Sequence, residues 1–172
     1  WPGTEMTPVD SLDTPYESFI SSVDVSSWPV GTYQFYMYGW DVANDFNSSS
    51  TAHATLTIYD DLAPLVENVL VDGIETYETT LSAAGTVTLS AIINDTARGG
   101  SVIGGANYTI GQENWPGSAM GPADVLDTDL EDFQQTVDIS TWQPGVYDVY
   151  VYGWDSEPNY NDFSTWHATI II

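Results

Sequence analysis

The chain has no cysteine and no lysine, and Arg98 is its single base. Without thiols, a disulfide framework and any thiolate metal site are excluded. Without a basic surface, nucleic acid is excluded as a partner, because such binding depends on neutralising phosphates with Lys and Arg. An anionic membrane surface is excluded for the same reason. No apolar run approaches the ~20 residues needed to span a bilayer. Helical periodicity is missing too: apolar residues recur with a period of two, and turn residues interrupt the chain too often for a helical stripe. Histidine occurs only at His53 and His167, so zinc and other transition metals lack an imidazole cluster. No nucleophile elbow, His-Glu-x-x-His helix or phosphate-cradling loop is present. The expectation is a protein that is not an enzyme.

What is abundant is acid. Twenty-five Asp and Glu face the one base, a net charge of −24, and such a surface opposes compaction unless cations or salt screen it. Aromatic residues make up 13% of the chain, which separates it from disordered acidic segments. The chain also repeats itself. Trp1 to Ile58 lies on Trp115 to Ile172 without a gap, and half of the paired positions are identical. The shared residues include WPG at 1 and 115, YGWD at 38 and 152, and His53 with His167. The first copy lacks a counterpart of Ala63 to Asn114. A period of this size fits one β-sandwich domain rather than a solenoid unit.

The expected organisation is therefore a partial module over 1–61, holding C-terminal strands only, and a complete module over 62–172. Strands are expected at Leu65 to Val71, Thr86 to Ile93, Asn107 to Ile110, Phe133 to Ile139, Val146 to Trp154 and Thr165 to Ile172, with Tyr59 to Pro64 as linker. GGSVIGG at Gly99 to Gly105 reads as a flexible turn between strands. Gly145-Val146-Tyr147 opens the longest strand, matched by Gly31-Thr32-Tyr33. That is where immunoglobulin-like sandwiches place a tyrosine corner, so the fold class is all-β, an immunoglobulin-like Greek-key β-sandwich. A chain that starts inside a module and shows no signal peptide is expected to be processed or excerpted.

DTARGGSVIGGANYTI, WPGSAM, the spaced acids Asp124, Asp127 and Glu131, and PGVYDVYVYGWD resemble the immunoglobulin-like repeats of secreted and cell-surface proteins of archaea and bacteria, of surface-layer and sheath type. The resemblance covers most of Ala63 to Ile172 and part of Trp1 to Ile58. It implies an extracellular structural subunit of a surface layer, sheath or filament. Similar repeats serve as adhesion or carbohydrate-binding modules, and as accessory domains of secreted peptidases, so these remain alternatives.

Two residue sets invite a function. Asp124, Asp127, Asp129 and Glu131 recur as Asp10, Asp13 and Glu17, with Pro15 in place of Asp129, and Asp41 and Asp155 end the YGWD strands. Clustered oxygen ligands on a loop suit calcium, though not as an EF-hand; the competing account is that these carboxylates cap turns. The second set is aromatic. Strand alternation points Tyr147, Val149 and Val151 inward and Tyr150, Tyr152 and Trp154 outward, with Tyr36, Tyr38 and Trp40 as the first-copy row and His53 and His167 on the same face. Such rows mark contact surfaces between copies or sugar-stacking platforms, unless the long segment Trp115 to Ile139 covers them. Sequons at Asn47, Asn94 and Asn107 favour a glycosylated, exported protein. Partners are thus expected to be further copies in a homo-oligomer or polymer. The half-module is expected to be completed by strands of a neighbouring copy or of upstream polypeptide.

Overall fold

The computed structural model describes residues 3–47, 53–163 and 167–172, and within them the chain is all-β. Trp1, both serines of the Asn47 sequon and the start of the strand expected at Thr165 lie outside the described residues.

The first copy supplies β1 (Thr7–Pro8), β2 (Phe19–Ile20), β3 (Gly31–Tyr36) and β4 (His53–Ile58). They form two separate antiparallel pairs, β1 with β2 and β3 with β4. The rest of the chain supplies β5 (Leu65–Val71), β6 (Thr76–Glu78), β7 (Thr86–Asn94), β8 (Ile103–Ile110), β9 (Ser118–Ala119), β10 (Gly121–Pro122), β11 (Leu130–Asp138), β12 (Val146–Asp155), β13 (Tyr160–Asn161) and β14 (His167–Ile171). One sheet has the order β10-β11-β7-β5; the other has the order β6-β14-β12-β8-β9, with β13 paired to β12. β6 runs parallel to β14 and the remaining pairs are antiparallel. The two sheets pack face to face, as period-two burial requires. Val87, Leu89, Ala91 and Ile93 of β7 and Phe133 of β11 meet Val149 and Val151 of β12 and Ala168 and Ile170 of β14. Gly153 lets the layers close, since a Cβ there would lie 2.7 Å from Ile93 Cγ2.

β8 starts four residues before the sequence pattern places it. Gly104 and Gly105, read above as part of a flexible turn, are strand residues, and a Cβ on Gly105 would lie 2.3 Å from the Trp154 ring. Their role is to let that indole lie on the strand. β6, β9, β10 and β13 are too short for period-two patterning to reveal.

Tyr147 Oη donates to the Gln143 carbonyl at 2.8 Å, and Tyr33 Oη donates to the Pro29 carbonyl at 2.6 Å. Trp142 packs on Tyr147 and Trp28 on Tyr33, at ring separations of 4.7 and 4.6 Å. The same corner is thus built twice. Tyr147→Phe keeps the ring and loses one hydrogen bond, so it is expected to cost about 1 kcal/mol in urea denaturation.

The copies differ in what covers them. Phe133 is 1% exposed, and its counterpart Phe19 is 49% exposed; Val151 is fully buried, and its counterpart Met37 is 43% exposed. Among the described residues before Asp61, Asp60 alone is buried. The first copy has counterparts of β10, β11, β12 and β14, and none of β5, β7 and β8, whose side chains close the core in the complete sandwich.

Candidate functional site

The acidic loop is turn chemistry. Glu131 is buried and its Oε1 accepts from Asp127 N at 3.2 Å, Thr128 N at 2.8 Å and the Thr128 hydroxyl at 2.8 Å. The Thr128 hydroxyl and amide, with the Asp127 amide, hold its carboxyl below the usual glutamate range. Glu17 repeats the arrangement, accepting from Asp13 N at 3.0 Å and Thr14 N at 2.6 Å. Asp41 Oδ1 accepts from Ala43 N and Asp45 N and closes its own turn. The proposed ligand sets Asp10, Asp13, Glu17 with Asp41, and Asp124, Asp127, Glu131 with Asp155, do not come together as metal sites among the described residues. Backbone amides at the tight Asp127-Thr128 turn engage the carboxylate first.

Asp155 instead belongs to a different group. Its carboxylate lies with those of Asp60 and Asp95, one ligand oxygen from each within 4.8 Å of the others. The three residues are 2, 7 and 0% exposed respectively. They come from three places: Asp60 from the linker, Asp95 from the residue after β7, and Asp155 from the end of β12. Asp60 and Asp95 are each held through one oxygen, and Asp155 through both. Asp60 Oδ1 accepts from Leu62 N at 2.9 Å, and Asp95 Oδ2 accepts from Ser101 N at 2.7 Å. Asp155 Oδ1 accepts from Glu157 N and Asn159 N, while Asn159 Nδ2 donates to Asp155 Oδ2 and to the Asp60 carbonyl. Two oxygens, Asp60 Oδ2 and Asp95 Oδ1, are buried with no hydrogen-bond partner.

The loop after β7 is shaped to admit this group. The amides of Arg98 and Gly100 both return to the Asp95 carbonyl. Gly99, at φ +142°, passes so close to Asp60 that a Cβ would lie 2.0 Å from its Cγ. Only glycine leaves room there. Arg98 Nε donates to the Ala63 carbonyl at 2.6 Å rather than to the carboxylates. Burial, reinforced by the charges of Asp60 and Asp155, pushes the Asp95 carboxyl up to about 6. Three oxygen donors with no His or Cys suit a hard cation. Trp28, Pro29, Val30 and Ile58 line one cleft with Asp60, Asp61, Leu62, Ala97, Arg98 and Gly99, so the group stands where the first copy meets the second. Sequence reasoning named Asp155 but grouped it with the duplicated loop, because Asp60 falls in the expected linker and Asp95 inside the Asn94 sequon; the paired glycines of DTARGG were the available signal.

The aromatic row has the expected strand phase, and its cover begins at Trp115, the first residue of the segment named above as the alternative to an open surface. Val149 and Val151 point into the core. On the other face Tyr152 is fully buried rather than exposed, with Trp115 edge-on to it at 5.6 Å and Asn114 N donating to its hydroxyl at 2.8 Å. Trp115 also packs edge-on against Trp154 and Tyr160, at 6.0 and 5.5 Å. Tyr152 is thereby removed as a contact residue, and Trp154 and Tyr150 are half-buried. Tyr36, Tyr38 and Trp40 of the first copy are exposed. His167 sits opposite Tyr150 and His53 opposite Tyr36, each ring pair 5.7 Å apart. Of the sequon residues, Asn47 is exposed. Asn94 is half-buried, contacting Glu67 and Thr96, and Asn107 lies inside β8, opposite Tyr152 on one side and Ala119 on the other. No helix among the described residues is long and apolar enough to cross a membrane. No family model matches the chain, and no curated protein matches it.

Proposed function

We propose that the chain is a structural subunit of an extracellular prokaryotic assembly, a surface layer, sheath or filament built from tandem immunoglobulin-like Greek-key modules. The observation that carries this is the half-open first copy beside a complete second one: the same residues are apolar in both, and those of the first copy lack a cover. Two features support the immunoglobulin-like reading. The order β10-β11-β7-β5 against β14-β12-β8 matches strands D-E-B-A against G-F-C of that fold, and the tyrosine corner recurs in each copy.

The occupant of the open face is a segment with the strand pattern of Leu65 to Ile110. Strand exchange among copies of residues 1–172 does not suffice. Each copy carries two halves that need those strands and one set of them, so one half stays open in any exchange. The complementing strands come from a further module of the same array. The acidic surface is screened by the salt and divalent cations outside a cell. The sugar-platform alternative loses its central residue in the complete module, where Tyr152 is covered.

The test places a second copy of residues 62–114 ahead of Trp1. Phe19 is then expected to become protected, and negative-stain microscopy at micromolar concentration to show ordered filaments or sheets. Dispersed particles that bind glycans would replace this reading with an adhesion or carbohydrate-binding module.

A further inference from the structure

We infer that Asp60, Asp95 and Asp155 bind one divalent cation of the calcium class, which ties the linker to the complete sandwich. Two oxygens of the group are orphaned. Asp60 Oδ2 and Asp95 Oδ1 are buried and accept nothing, while their partner oxygens are each held by a backbone amide that fixes the carboxylate's direction. Burying an unpaired carboxylate is costly, and this group buries three together. Arg98, the neighbouring base, turns its Nε to the Ala63 carbonyl rather than to these carboxylates. A bound cation accounts for both the convergence and the orphaned oxygens.

The identity of the ion follows from the donors. All are carboxylates, which excludes a preference for zinc or copper. They arrive from three separate segments with spacings up to 4.8 Å, and the linker contributes one of them. Calcium accepts six to eight oxygens in flexible geometry, whereas magnesium demands near-ideal octahedral ligation and gives up water reluctantly. Water completes the shell. A site of this charge and modest ligand count belongs with extracellular calcium modules, whose dissociation constants are on the order of 0.1–1 mM.

The consequence is mechanical. Asp60 follows β4 by two residues, so fixing its side chain to Asp95 and Asp155 fixes where one module leaves and the next begins. Tyr59 and Leu62, which flank this stretch, are exposed. The site stands on residues 1–172 alone and does not depend on whether arrays form.

The test uses the full chain, freed of divalent ions by chelation and kept at constant ionic strength. Titrating calcium is expected to show one site per chain by calorimetry. At about 100 times the dissociation constant the melting temperature should rise by roughly 10 °C. Chymotryptic cleavage after Tyr59 should slow roughly tenfold as the linker is held. Asp95→Asn is expected to abolish the calcium-dependent rise and, by removing one buried charge, to raise the melting temperature in chelator. Asp60→Asn, outside both sheets, should also abolish the calcium response and so covers the case in which Asp95→Asn fails to fold. Asp127→Asn should leave the response unchanged. A parent chain indifferent to calcium would overturn the site, as would a response retained in Asp60→Asn, which would mark general screening of the acidic surface.

Discussion

Phe133→Ala is expected to cost about 3–5 kcal/mol in urea denaturation, the range for truncating a fully buried aromatic side chain. Phe19→Ala, the same residue one module earlier, is expected to cost about 1 kcal/mol or less, because half of its ring is already in water. Chemistry and local strand are the same, since Phe133 pairs with Pro122 and Phe19 with Pro8. What differs is the layer opposite. Phe133 packs in the core with Val87, Leu89 and Ile93 of β7 and with Val149 and Val151 across the sandwich, and the first copy has no β7. When a second set of residues 62–114 precedes Trp1, the cost of Phe19→Ala should climb toward that of Phe133→Ala. Equal costs in the unextended chain would contradict the open face, and an unchanged Phe19 cost in the extended one would contradict its proposed occupant.

The sequence carried much of the fold in its internal repeat and its period-two patterning. The expected strand at Leu65 to Val71 has the observed bounds, and those at Thr86, Phe133 and Val146 differ by a few residues. The tyrosine hydroxyls of Tyr33 and Tyr147 make the backbone bonds their placement after a turn suggested. Where patterning misled, glycine was the reason. GGSVIGG has the composition of a loop, yet Gly104 and Gly105 are extended because Trp154 occupies the space their side chains would need. That is a fact about a residue about fifty positions away, and no local window contains it.

The acidic residues show the same limit more sharply. Asp124, Asp127 and Glu131 attracted attention because they are close in sequence and duplicated. Closeness in sequence favours local hydrogen bonding, and the Asp127 and Thr128 amides take the Glu131 carboxylate. Asp60, Asp95 and Asp155 meet only when the linker, the end of β7 and the end of β12 converge at one end of the sandwich. Duplication marked only Asp155, through Asp41. Asp95 falls in the stretch the first copy lacks, and Asp41, which repeats Asp155, closes its own turn without the other two.

Glu131→Ala is expected to be the other large loss, about 2–3 kcal/mol at neutral pH, because it strands the Asp127 and Thr128 amides at once, while the Thr128 hydroxyl keeps the Leu130 carbonyl. Those bonds are strong because the acceptor is ionised, which gives the effect a pH signature. The Thr128 hydroxyl, then its amide, then that of Asp127 lower the Glu131 carboxyl in the folded chain, with Asp124 alongside adding to the shift. A folded value below the unfolded one contributes stability that is fully present above the unfolded value, near 4.3, and is lost as pH falls through the folded value. Glu131→Gln keeps an acceptor and loses the charge. Its deficit relative to the parent should therefore be constant from neutral pH down to about 5 and shrink below that, as the parent carboxylate takes up its proton. Glu17 makes the corresponding amide bonds in a half-exposed setting, so Glu17→Gln should change stability less at every pH. Urea denaturation of both variants and the parent from neutral pH to about pH 3 checks this. A Glu131→Gln deficit that persists unchanged to the acid end would mean the side chain contributes packing rather than a charged cap.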